Sequence, residues 1–166
     1  MDQEKLKTIK KVIEEFFQKT TFDVTLEEIL EKEGTIFVDL KTQDPQILIG
    51  EGGRTLAEIQ HLLKAILKRK LALFSQEKKG LVPFYLNLDI NNYKQKKYEY
   101  LKELARLTAD EVALSKKEKQ LSPMMAHERR IIHLELAERP DVLTESSGQE
   151  PERKVIVRPR MQNEPL

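Results

Sequence analysis

The chain has 166 residues, of which 34% are charged and 39% hydrophobic, and its 29 Lys and Arg almost balance its 28 Asp and Glu. That length suits one ordinary domain or two small ones, and the near-zero charge argues against a strongly basic, non-specific nucleic-acid binder. The absence of cysteine excludes a disulfide framework and thiolate metal sites and fits a reducing compartment.

The start, "MDQEKLKTIKKVIEEFF", is acid-bearing and periodic, unlike a secretory or transit peptide. No apolar run approaches the roughly 20 residues that span a bilayer, so the protein is expected to be cytoplasmic and not membrane-spanning. The charge is unevenly spread. Residues 1–40 hold 6 basic and 10 acidic side chains, a balance of −4 against +1 for the whole chain, which leaves +5 for residues 41–166.

Residues 3–19 read as an amphipathic helix, with Leu6, Ile9, Val12, Ile13, Phe16 and Phe17 on one face. Two strands follow about a turn at Glu33-Gly34; the second alternates through Ile36, Val38 and Leu40, while the first also admits a short helix. "DPQILIGEGG" reads as a bend, an apolar stretch and a glycine loop. A helix from Thr55 to about Phe74 comes next, with Leu56, Ile59, Leu62, Leu63, Ile66 and Leu67 inward. Then come a polar loop, "SQEKKG", and a strand in "VPFYLNLDI". Asn91 or Asn92 can cap a long third helix. Ser122-Pro123 has the cap and first-turn residues for a fourth helix, ending before Pro140. "DVLTES" and "RKVIVRP" form a closing hairpin, and a loose tail ends the chain. This order suggests an α+β protein of two small units in tandem, with a junction near residues 90–93.

Gly50-Glu51-Gly52-Gly53 raises the question of a phosphate loop. A Walker loop needs a glycine followed by lysine and a hydroxyl residue, but Gly53 is followed by Arg54-Thr55. A dinucleotide fingerprint beginning at Gly50 needs a third glycine where Thr55 stands. What remains is a G-x-x-G tetrad before a helix, with Thr55 and Glu58 spaced for a capping box. Such a loop lets a sugar-phosphate backbone approach closely, and the helix dipole favours its charge. This is the logic of the KH clamp on single strands; a plain strand-to-helix turn is the alternative. Ile47, Leu48 and Ile49 could wall a groove beside it.

In "HERRIIHLEL", Arg129 and His133 stand four apart and share a helical stripe, which Ala126 and Ala137 leave open, with Arg130 at its edge. A guanidinium beside an imidazole suits phosphate oxygens or a base edge, although an ordinary solvated face with a half-buried histidine has the same spacing. The three histidines show no metal-ligand spacing, and no nucleophile elbow, HExxH motif or carboxylate pair stands out. Tyr93, Tyr98 and Tyr100 lie among lysines and are read as packing residues.

"SPMMAHERRIIHLEL" followed by "DVLTESSGQEPERKVIVRP" resembles the Arg-x-x-x-His domain that follows a KH domain in the bacterial Jag family, and "LIGEGGRTLAEIQHLL" is similar to that family's KH loop and helix. The resemblance covers roughly residues 5–160. It implies a KH-like domain over 1–90, an Arg-x-x-x-His domain over 91–160 and a flexible tail over 161–166. It implies non-catalytic binding of single-stranded nucleic acid, RNA before single-stranded DNA, with no cofactor and no metal. Gly50, Glu51, Gly52, Gly53 and Arg54 would form the clamp, and Arg129 with His133 the eponymous pair. Arg130, Arg153 and Arg158 would be supporting basic positions. A second KH protein or the membrane insertase machinery are the implied protein partners. The chain departs from the family in three ways: Glu51 and Gly52 stand where basic residues are usual, Met125-Ala126-His127 replaces an aromatic-bearing segment, and the family's frequent extra N-terminal domain is not in this sequence. These departures motivate an alternative, an interaction module or scaffold at a ribosome, insertase or partner KH protein.

Overall fold

A computed structural model describes residues 3–74 and 84–161. It divides into two compact units, Met1–Lys94 and Gln95–Leu166. Each is an α+β layer with its own three-stranded sheet.

In the first unit, α1 (Gln3–Gln18) leads into the strands β1 (Val24–Lys32) and β2 (Thr35–Thr42). The hairpin turns at Glu33 and Gly34, whose φ values of 52° and 75° match the right-handed strand twist. The first strand is therefore a strand and not a short helix. A register shift between Leu26 and Glu28 lets it follow β2 to the end. The chain then forms α2 (Pro45–Ile49), α3 (Arg54–Phe74) and β3 (Tyr85–Ile90), which lies parallel to β2 and completes the order β1-β2-β3. Ile36, Val38, Leu40, Leu86, Leu88 and Ile90 point to one face of the sheet. There they meet Ile9, Ile13, Leu56, Leu63 and Leu67 from α1 and α3. Leu62, expected inward, is 52% exposed because it sits off this stripe. The "SQEKKG" loop lies outside the described residues.

In the second unit, α4 (Tyr93–Ser115) supplies Leu101, Ala105, Ala109 and Val112 to a second core. The strands β4 (Lys119–Gln120), β5 (Val142–Ser147) and β6 (Lys154–Pro159) form a sheet in the order β4-β6-β5, with α5 (Ala126–Leu136) packed on it through Ile132 and Leu136. Arg139 braces this unit: its guanidinium donates to both oxygens of Asp141, at 2.8 and 2.6 Å, and to Asp110 on α4 at 2.8 Å.

Three local expectations change. Pro45–Ile49 is helical, so the glycine loop joins two helices and not a strand to a helix. Asn91 does not cap α4. Its side chain pairs with the backbone N–H and carbonyl of Thr42, and the Asp89 carboxylate accepts the Lys94 N–H at 3.2 Å instead. Ser122 and Pro123 do not start α5, because Leu121 donates to the Val155 carbonyl and Met124 to that of Arg153, which holds the segment alongside β6. The helix begins at Ala126, where buried Glu128 accepts the Met125 N–H at 2.8 Å and Lys97 compensates its charge at 3.2 Å. Of the expected tail, residues 162–166 lie outside the described part. Arg160, at its start, extends the sheet by donating its N–H to Asp141.

Candidate nucleic-acid interface

The glycine loop is built from backbone conformations that exclude other residues. Gly50 closes α2 by donating to Gln46, at 2.9 Å, and lies at φ 71°, ψ −179°. Side chains do not enter this region readily. A Cβ on Gly50 would also stand 2.7 Å from Thr55 Cβ and 3.0 Å from its nitrogen. Arg54 is already helical, so Thr55 sits inside the first turn, its hydroxyl against Gly50, and does not stand ahead of the helix as a cap. Gly53, at φ 86°, leaves room for the Tyr93 ring, 3.1 Å from where a Cβ would be. Gly52 is the opposite case. It adopts φ 60°, ψ 14°, and nothing lies within 4 Å of its Cβ direction.

A strand can therefore approach this loop at Gly52, directly before the 21-residue α3. Two loop donors are already used, since Gly53 N–H reaches the Gly50 carbonyl at 3.3 Å and Arg54 N–H that of Glu51. The attraction for an anion thus rests on the helix dipole and on exposed Arg54. Glu51 is exposed too, and among the described residues the two form no ion pair. Ile47, 60% exposed, is the wall residue left open; Leu48 is buried and Ile49 packs on the core.

On α5 the expected open stripe is filled. Arg129 is 6% exposed; its Nη1 donates to the Met124 carbonyl at 2.7 Å and its Nη2 meets Glu150 at 2.9 Å. His133 is half-buried and held by two hydroxyls, Nδ1 at 2.6 Å from Thr144 and Nε2 at 2.8 Å from Ser146. Thr144 and Ser146 alternate with Glu145 along β5 and so share the face beneath α5. Burial first, and the Arg129 charge second, hold the His133 pKa below the ordinary histidine value. The neutral ring then donates to one hydroxyl and accepts from the other.

Arg130 is exposed on α5, and Arg153 is exposed on the turn before β6, its carbonyl accepting the Met124 N–H. Arg158 is not brought to this face. It pairs with Leu143, alternating with the Thr144–Val157 pair that faces α5, and so belongs to the other side of the sheet. Tyr98 and Tyr100, read as packing residues, are 43% and 58% exposed, with lysines over their rings. Sequence reasoning missed Glu150, for which no spacing gives a signal. It also missed Thr144 and Ser146, which the period of two along β5 could have placed opposite a helix.

Because the folded imidazole binds its proton less readily than the unfolded one, the sign of the pH effect follows. The stabilisation is fully present above the unfolded histidine pKa of about 6.5 and is lost as pH falls from there towards the lower folded value. Thermal melts at about pH 7.5 and about pH 5.5 should show this loss in the wild-type chain and a smaller one in His133→Gln.

Residues 99–159 match the family model of the R-x3-H domain, so the second unit is an Arg-x-x-x-His domain. The chain as a whole is similar to proteins named RNA-binding protein KhpB. It is 35% identical to that of Clostridium symbiosum over 80% of its own length and 56% of the relative's. It is 33% identical to that of Lactiplantibacillus plantarum over 72% and 34%, and 32% identical to that of Bacillus subtilis over 67% and 48%. These are Jag-family proteins, and the resemblance carried by the two motifs holds over most of the chain. The chain spans about half the length, or less, of these relatives.

Proposed function

We propose that this protein binds single-stranded nucleic acid, RNA in the first place, without catalysis, through a KH-like first unit and the Arg-x-x-x-His domain. The observation that carries the reading is the glycine loop, with three positive-φ glycines in four positions and Gly52 open to solvent ahead of α3. The names of the relatives support the choice of RNA. In this reading Gly50, Gly52 and Gly53 shape the clamp, and Arg54 sits beside it. Arg129 and His133, with exposed Arg130 and Arg153, supply the second contact. Arg158 engages the same strand only if it passes the far side of the sheet.

Ultraviolet crosslinking to single-stranded RNA followed by peptide mapping tests this assignment. Crosslinked peptides should contain residues 50–54 and segments of 127–133 or 148–154; crosslinks confined to other segments would contradict it.

A protein partner is favoured by a separate observation. Glu28, Asp39 and Asp89 stand in register across the first sheet, on the face away from α1 and α3. Burial, and then Asp89, hold the Asp39 carboxyl above its usual range. Leu30 and Tyr85, 52% and 66% exposed, lie on the same face. Such a face repels phosphate and suits a basic protein surface, such as one on the ribosome, the membrane insertase or a second KH protein. No described helix is long and apolar enough to cross a membrane, and a cytoplasmic location is part of this proposal.

A further inference from the structure

We propose that Glu150 is the resident anion of Arg129, a tethered carboxylate that an RNA phosphate displaces on binding. The inference rests on the single-strand-binding reading above and adds a residue that sets its affinity. The ion pair is lopsided, since the Arg129 side chain is 7% exposed and that of Glu150 58%. A guanidinium that deep needs an anion beside it whether or not nucleic acid is present. The carboxylate that fills this need comes from the turn between β5 and β6, beyond the last ladder pair, Ser147 with Lys154. It can therefore swing away without breaking a strand.

Arg129 itself stays aimed when that happens. Its Nη1 remains anchored on the Met124 carbonyl, and α5 fixes its stem between Glu128 and Ile132. Carboxylate and phosphate offer the same acceptor geometry to a guanidinium fork, so one can take the place of the other. Arg130 and Arg153, both exposed, are cations that could hold the incoming backbone nearby. Neutral His133 keeps the pocket from gathering a second positive charge that would have to be compensated. Glu150 thus competes at the high effective concentration of a tethered ligand and lowers the apparent affinity for RNA.

Titration of a short fluorescent single-stranded RNA into the full chain, at several salt concentrations, tests this with Glu150→Gln. Loss of the competitor should tighten binding by about tenfold, the scale of one charge-assisted hydrogen bond. The slope of log affinity against log salt should steepen by about one phosphate. Unchanged or weaker binding with the wild-type slope would show Glu150 to be only a brace and would overturn the proposal. Should Glu150→Gln melt too early to titrate, Glu150→Asp decides. It keeps the charge but draws it back from Arg129, and should tighten binding by a smaller factor; no tightening there would equally overturn the proposal. If the wild-type chain binds no single-stranded RNA, the underlying reading fails as well, whereas wild-type binding without tightening removes the inference alone.

Discussion

Gly50→Ala should destabilise the first unit more than any other single-methyl change in the glycine loop. The residue lies at φ 71°, ψ −179°, and its new Cβ would press into Thr55, 2.7 Å from that residue's Cβ and 3.0 Å from its backbone nitrogen. Strain of this kind costs about 1–3 kcal/mol before any clash is counted. The clash involves the first turn of α3, which cannot rotate aside as a long side chain would. A total of about 3 kcal/mol or more is a large share of an ordinary domain's stability. It corresponds to a fall in melting temperature of at least roughly 10 °C. Trimming Thr55 to alanine in the same chain should recover only part of the loss, since the backbone contact and the strain remain. A melting temperature within a few degrees of wild type would show that the loop is not held as described.

Gly52→Asp should do the reverse, leaving the fold nearly intact and removing binding at the loop. Its φ 60°, ψ 14° is the left-handed region that Asp tolerates better than most residues, and nothing lies within 4 Å of the new Cβ. The carboxylate would stand where a phosphate has to approach and would join exposed Glu51 there. The same substitution at Gly53 mixes this effect with a clash on Tyr93, 3.1 Å away, so Gly52 is the position that separates binding from stability. The loss in binding should be about 1–3 kcal/mol, the worth of the charge-assisted contacts it opposes.

Elements long enough to show a period were legible in the sequence. The apolar stripes of α1 and α3, the alternation through Ile36, Val38 and Leu40, and the final hairpin all appear where the pattern put them. Short elements were not. The five residues of α2 and the two of β4 cannot establish a period, and β4 exists because β6 offers it a partner. The start of α5 was misread because Ser122-Pro123 has good capping chemistry, which loses to the backbone bonds between Met124 and Arg153 and between Leu121 and Val155. At the candidate site, spacing placed Arg129 and His133 on one stripe but could not say what faces them. The partners Glu150, Thr144 and Ser146 lie 11 to 21 positions further along the chain, on a strand and a turn, and only the fold brings them close. The stripe taken as open is in fact closed by the sheet.

The most direct test of RNA binding through the glycine loop and the Arg-x-x-x-His domain is one titration, of labelled single-stranded RNA into wild type and Gly52→Asp at moderate salt. The account predicts that wild type binds, that a duplex of the same sequence competes poorly, and that Gly52→Asp weakens binding about tenfold or more at an unchanged melting temperature. Equal affinity in the two folded proteins, or no binding by wild type, would contradict it.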